Sequence, residues 1–159
     1  MSNHLDKKNN PIMVDVGSKN ITQRIAEAEG EIIFDKKTFK KIEDLKSKKG
    51  SINNVAVISG IMGAKETSRL IPLCHNIPID SVKIEISKNI KKNLIKVKAI
   101  VKTNSKTGVE MEALTAVTIS CLTIYDMCKY LNKSIKISNI QLVSKKGGKS
   151  TNFDLNILK

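Results

Sequence analysis

Asp126 and Lys129 are the pair of side chains in this sequence best placed by type and spacing for acid–base chemistry. They fall within residues 109–131, a run of 23 residues without Gly or Pro that reads as one helix. At about 100° per residue, Asp126 lies about 40° from Glu112, and Lys129 about 60° further round. Three charges therefore share a sector of about 100°, with Thr115 a further polar position on the same helix. Two readings are open. One is a surface ion pair of small value, as i,i+3 charges on helices commonly are. The other is a carboxylate and an ammonium held in a desolvated pocket, trading protons as general acid and base. The neighbouring residues are Ile, Met, Cys, Leu and Tyr, which weighs against a fully solvated face.

Further candidates lie in loops. Cys74 and His75 stand in IPLCHNIP, bracketed by Pro72 and Pro78, which predicts a rigid exposed loop carrying a donor and an acceptor. A structural loop with an incidental His reads equally from these residues. The adjacent pair lacks metal-ligand spacing, and the other His, His4, sits near the N-terminus. SKKGS, residues 47–51, precedes a predicted helix start, where phosphate or merely a solvated Lys run would be at home. KKGGKS, residues 145–150, ends like a phosphate-binding P-loop, but the full pattern needs Gly where Val143 stands, and no helix follows. What remains is a glycine-backed basic loop able to offer backbone N–H groups and Lys145 to phosphate. In KTGVEMEAL, Gly108 leads into the long helix, and favourable dipole placement alone accounts for Glu110 and Glu112 in its first turn.

The elements that must position these residues follow from periodicity. Residues 22–34 alternate apolar and acidic positions and predict a strand. Asp35 is a good N-cap for a short helix over 36–46, with Phe39, Ile42 and Leu45 on one stripe. Ser51 can cap a second helix over 52–70, with Val55, Ile58 and Met62 among its apolar positions and Gly60 and Gly63 as weak points. Val82, Ile84 and Ile86 alternate with charge, as do Ile95, Val97 and Ala99, giving a hairpin turning through 88–93. After the long helix, 135–144 predicts a last strand with a bulge at Ser138-Asn139. Without the small helix the order is βαββαβ, an α+β ferredoxin-like antiparallel sheet with helices on one face. Residues 1–11 read as a polar mobile tail and 12–159 as a single catalytic domain. The long helix is apolar almost all round, which predicts burial of its outer side by a second subunit.

Composition narrows the class. The 159 residues carry a net charge of +13, and 26 of the 28 basic residues are Lys. Such a charge favours a polyanionic partner. Lys reads phosphate less specifically than Arg, and part of the excess accompanies a general bias to Ile, Lys and Asn. At 40% hydrophobic the chain is not disordered. No apolar h-region opens it and its longest apolar stretch falls short of a span. Three Cys without a C-x-x-C pair predict reduced thiols in a cytoplasmic protein.

Five strings occur in order: MVDVGSK, IPLCHNIP, KTGVEMEALT, LTIYDMCK and KKGGKS. Together they closely resemble the cyclic pyranopterin monophosphate synthase family, the molybdenum cofactor biosynthesis protein C family, over about residues 13–153. The resemblance implies a homohexamer, a trimer of dimers with active sites at dimer interfaces. Its implied reaction is a lyase step that converts a 3′,8-cyclo-7,8-dihydroguanosine triphosphate to cyclic pyranopterin monophosphate and diphosphate. Carried over residue by residue, it makes Asp126 and Lys129 the acid/base pair and Lys49 a further catalytic lysine. Substrate contacts fall on Leu73, Cys74 and His75, on Glu110, Met111 and Glu112, on Lys145 and on Arg24. No metal or organic cofactor is implied. Two positions depart from the family pattern. Ser51 replaces a common Asp, leaving the cap chemistry intact, and Asn76 replaces a common Pro, loosening the loop at His75.

The ring rearrangement moves several protons, and closing a cyclic phosphate as diphosphate leaves develops charge on oxygen. Asp126 and Lys129 suit the first and Lys49 and Lys145 the second. The rival expectation is an RNA-binding module, since a basic βαββαβ domain is also the topology of the RRM. That module stacks bases on strand aromatics, and LIKVKAIV, residues 94–101, has none. A silent scaffold of the same fold is a third reading, opposed by Lys49, Asp126 and Lys129 at matching positions.

Overall fold

The protein is described by a computed structural model covering residues 4–44, 51–148 and 152–157. Its elements are β1 (Thr22–Ile33), α1 (Lys36–Asp44), α2 (Ile52–Leu70), β2 (Ser81–Asn89), β3 (Leu94–Ser105), α3 (Glu110–Cys128), β4 (Lys136–Lys146) and β5 (Phe153–Asp154). A 3-10 turn over Leu155–Ile157 closes the described chain. The five strands form one antiparallel sheet in the order β2-β3-β1-β4-β5. The first four give the ferredoxin-like arrangement expected from the pattern. β5 is an addition that the pattern did not predict, pairing Phe153 with Lys145.

Alternation along β1 decides which face is covered. Ala26, Ala28 and Ile32 are fully buried, and a Cβ on Gly30 would come within 2.7 Å of Val117 on α3, so this face carries the helices. The opposite face is a charged lattice. Lys96 pairs with Glu29 at 2.6 Å, Lys98 pairs with Glu27, and Asn139 donates to Glu31 at 2.6 Å. This is no base-stacking platform, because the strands β1–β4 contain no aromatic residue. β4 is bent by two register shifts against β1, one of them at Asn139 with φ +52°. That is the predicted bulge.

Asp35 caps α1 by accepting from the Thr38 backbone N–H at 3.0 Å, and Phe39 and Ile42 turn into the core. Leu45 and Lys46 of the predicted helix lie outside the described residues. Ser51 precedes α2 as expected but makes no side-chain cap hydrogen bond. The glycines that looked like weak points let α2 approach α3 closely. A Cβ on Gly60 would overlap Ser120 Oγ, and one on Gly63 would meet Ile119 at 2.8 Å. Ser120 donates to the Ala56 carbonyl at 3.0 Å across the same contact. Along this contact the buried α2 residues Ala56, Gly60, Gly63 and Ala64 are small, whereas Val55, Ile58 and Met62 face outward.

α3 is shorter than the predicted 109–131, starting after Val109 and ending at a Lys129 cap. It is long and apolar enough to cross a membrane by length and composition, but it is the core helix here. Ala113, Ala116, Val117, Cys121, Ile124 and Cys128 are buried. The sheet covers one side of α3 and α2 a second, so the region left for a further contact is narrower than the sequence implied. Met111 and Leu122, eleven residues apart and so on one face, remain exposed there.

Candidate active site

The first turn of α3 and the end of β4 build one wall of a cleft. Lys145 is in register with buried Ala26, which turns its side chain to the helix face of the sheet. There it meets Glu110 at 3.1 Å, both side chains about one-third exposed. Glu112, one residue beyond Met111, turns inward and is only 5% exposed. Burial pushes its carboxyl up to about 6, with a smaller contribution from the charge of Glu110; a hydrogen bond to its own backbone opposes both. This is a carboxyl that can hold or release a proton near neutral pH.

The 71–80 loop forms the facing wall. Leu73, Cys74 and His75 are half-buried, which corrects the expectation of an exposed loop: the cleft draws them in. Burial, with help from the Glu112 charge, raises the Cys74 thiol, so it rests as a neutral SH. His75 Nε2 lies 2.7 Å from the Val14 carbonyl oxygen. A carbonyl only accepts, so Nε2 carries the proton. Asn76, the departure next to it, points to solvent.

The cleft has two lobes. The larger, about 490 Å³, joins Leu73, Cys74, His75, Met111 and Glu112 to Glu110 and Lys145. The smaller, about 140 Å³, is strongly basic, with Lys19, Arg24, Lys106, Lys145 and Lys146 against the one carboxylate of Glu110. Lys19, Thr107, Gly108, Glu110 and Lys145 line both lobes. Arg24 spans two loops of the basic lobe, donating to the carbonyls of Gly147 at 3.2 Å and Lys106 at 3.4 Å. Seven predicted contact residues are thus gathered in one lobe and the eighth, Arg24, in the other. Periodicity missed Val14 and Lys19, which only the string MVDVGSK marked, and Lys106, which only the string KTGVEMEALT marked.

Asp126 and Lys129 are elsewhere. They pair at 2.6 Å at the far end of α3, about 24 Å along the helix from Glu110. Their side chains are 65% and 54% exposed, which corrects the expectation of a desolvated stripe. Glu112, in the first turn of α3, is buried, whereas Asp126 and Lys129 at the other end of the same helix are not. Hydrogen bonding to Asp126 raises the Lys129 ammonium and keeps it charged. Lys49, Lys149 and Ser150 lie outside the described residues.

Residues 13–148 match the MoaC family across both walls of this cleft. The chain belongs to the MoaC family. Among its relatives is a cyclic pyranopterin monophosphate synthase of Campylobacter jejuni, 50% identical over 94% of this chain and 96% of its own length. A protein of the same name from Clostridium botulinum is 51% identical over 95% of both chains. One from Helicobacter pylori is 48% identical over 95% of this chain and 96% of its own. The MoaC match takes in all the candidate positions from Arg24 to Lys145, including Lys49. It leaves the RNA-binding reading without support, in keeping with the carboxylates on the open sheet face.

Proposed function

We propose that this MoaC family chain is a cyclic pyranopterin monophosphate synthase. Its substrate on this reading is (8S)-3′,8-cyclo-7,8-dihydroguanosine 5′-triphosphate. The observation that carries it is the two-lobed cleft, in a chain half identical to proteins of that name over nearly its full length. The larger lobe takes the purine-derived rings and offers Glu112, Cys74 and His75 as polar contacts. The basic lobe takes the triphosphate, where Lys145 and its neighbours offset charge as the cyclic phosphate closes and diphosphate leaves. The reaction is thereby a phosphorus–oxygen lyase step that needs no metal or organic cofactor.

Asp126 and Lys129 enter as the acid/base pair from a second subunit. The carboxylate accepts and the ammonium donates, and pressing the pair into a neighbour's cleft would supply the desolvation that it lacks in one chain. The outward apolar side chains Val55, Ile58, Met62 and Leu122 favour such assembly, as a homohexamer with composite sites. Lys49, which precedes α2 in the sequence, is on this reading a further catalytic lysine. Free Cys74, Cys121 and Cys128 suit a cytoplasmic protein. The test is incubation with the cyclic dihydroguanosine triphosphate and detection of products. Pyranopterin and diphosphate should appear in equal amounts. Absence of both from a folded preparation overturns the proposal.

A further inference from the structure

Residues 14–19 form neither helix nor strand, yet they are fastened at two points on opposite walls of the cleft. His75, on the 71–80 loop, donates from Nε2 to the Val14 carbonyl at 2.7 Å. Lys106, on the loop between β3 and α3, donates from Nζ to the Gly17 carbonyl at 2.6 Å. Between these points the chain is folded locally. Asp15 accepts from the Gly17 N–H at 2.7 Å, and the Lys19 N–H donates to the Val16 carbonyl at 3.1 Å. The turn brings Lys19 to the boundary where the two lobes meet.

Lys19 differs from the other cation shared by both lobes. Lys145 is held by Glu110, so an arriving anion must compete with a carboxylate for it. Among the described residues Lys19 has no ion-pair partner. Its charge is available in full to a ligand that spans the lobes, as a nucleoside triphosphate derivative would.

We propose that residues 14–19 are a strap latched by His75 and Lys106, and that the strap sets Lys19 as a phosphate ligand at the junction of the lobes. His75 is then a positioning residue for Lys19, whatever else it touches. The phosphate belongs to the substrate only if the proposed function holds, so anion binding is measured apart from turnover.

The probe is inorganic tripolyphosphate, titrated calorimetrically into the full-length protein at low ionic strength, where surface charge is least screened. Lys19→Ala should weaken binding by about tenfold or more, and Lys19→Arg should restore most of it. His75→Phe removes the donor to Val14 and should weaken binding comparably, whereas His75→Gln keeps an N–H at similar reach and should weaken it less. Because latch and ligand act as one unit, the Lys19→Ala and His75→Phe losses should not add. In turnover, Lys19→Ala should raise KM more than it lowers kcat. Wild-type binding that is absent, or unchanged in Lys19→Ala, overturns the inference; additive losses overturn the latch. Tripolyphosphate binding that needs Lys19, in a protein that forms no pyranopterin, upholds the inference and refutes the proposed activity.

Discussion

Gly148 lies against the guanidinium of Arg24 with no room for a side chain: a Cβ there would overlap Nη1. Gly147 and Gly148 have φ of +97° and +83°, a region that L side chains rarely adopt. The backbone can therefore settle onto Arg24, and Arg24 in turn holds the Gly147 and Lys106 carbonyls together. Gly148→Ala should lower Tm through a conformational cost of roughly 1–2 kcal/mol plus displacement of Arg24. In an Arg24→Ala background only the conformational part should remain. Equal losses in the two backgrounds, by thermal unfolding, would refute the contact.

The second close approach, between α2 and α3, makes an opposite prediction to simple propensity. Ala is favoured over Gly inside a helix by about 1 kcal/mol. At Gly60, however, the added methyl would overlap Ser120 Oγ and stand 3.0 Å from the Ala116 carbonyl. Overpacking of this kind costs about 1–3 kcal/mol, so Gly60→Ala should lower Tm. Adding Ser120→Ala should return part of the loss. A Gly60→Ala protein more stable than wild type would show that the helices separate at no cost.

These two contacts mark what the sequence carries and what it does not. Alternation in β1, β2 and β3 and the uninterrupted apolar run of α3 dictated the sheet and the core helix. Gly60 and Gly63 looked like weak points of α2 because a sequence shows propensity and not the neighbour that a missing Cβ admits. Around the site, the sector shared by Glu112, Asp126 and Lys129 is readable from periodicity. Their burial is not, since Glu112 lies in the cleft that the start of α3 shares with the 71–80 loop and Asp126 and Lys129 lie beyond it. Residues 14–19 have no period, so the latch from His75 to Val14 could be found only in three dimensions.

Glu112 supplies a pH dependence. Its carboxyl is pushed up to about 6 from an ordinary 4.5, chiefly by burial. The folded state thus binds its proton more tightly than the unfolded state. Stability from this group is highest below about pH 4.5, declines as pH rises through 6, and is then fully lost. The cost at neutral pH is at most about 2 kcal/mol. Glu112→Gln stays neutral, so its Tm should gain on wild type between pH 4.5 and 6 and hold a constant lead above. That lead should be roughly 4–8 °C for a chain of this size. A difference that does not change with pH would place Glu112 in contact with solvent.

The distance between Asp126 and the cleft gives the sharpest prediction for the active site. The exposed pair with Lys129 contributes little to stability, so Asp126→Asn and Lys129→Ala should fold and assemble as wild type does. Each should nevertheless abolish turnover if the pair works in a neighbour's cleft. Lys145→Ala should be inactive too, by a defect on the other side of the interface. In a symmetric dimer with two composite sites, mixing Asp126→Asn and Lys145→Ala subunits makes hybrids with one intact site and one doubly defective site. Random reassortment should therefore restore about a quarter of wild-type activity, although neither parent has any. Sites built within one chain would show no recovery at any mixing ratio. Measuring pyranopterin formation before and after subunit exchange separates the two arrangements.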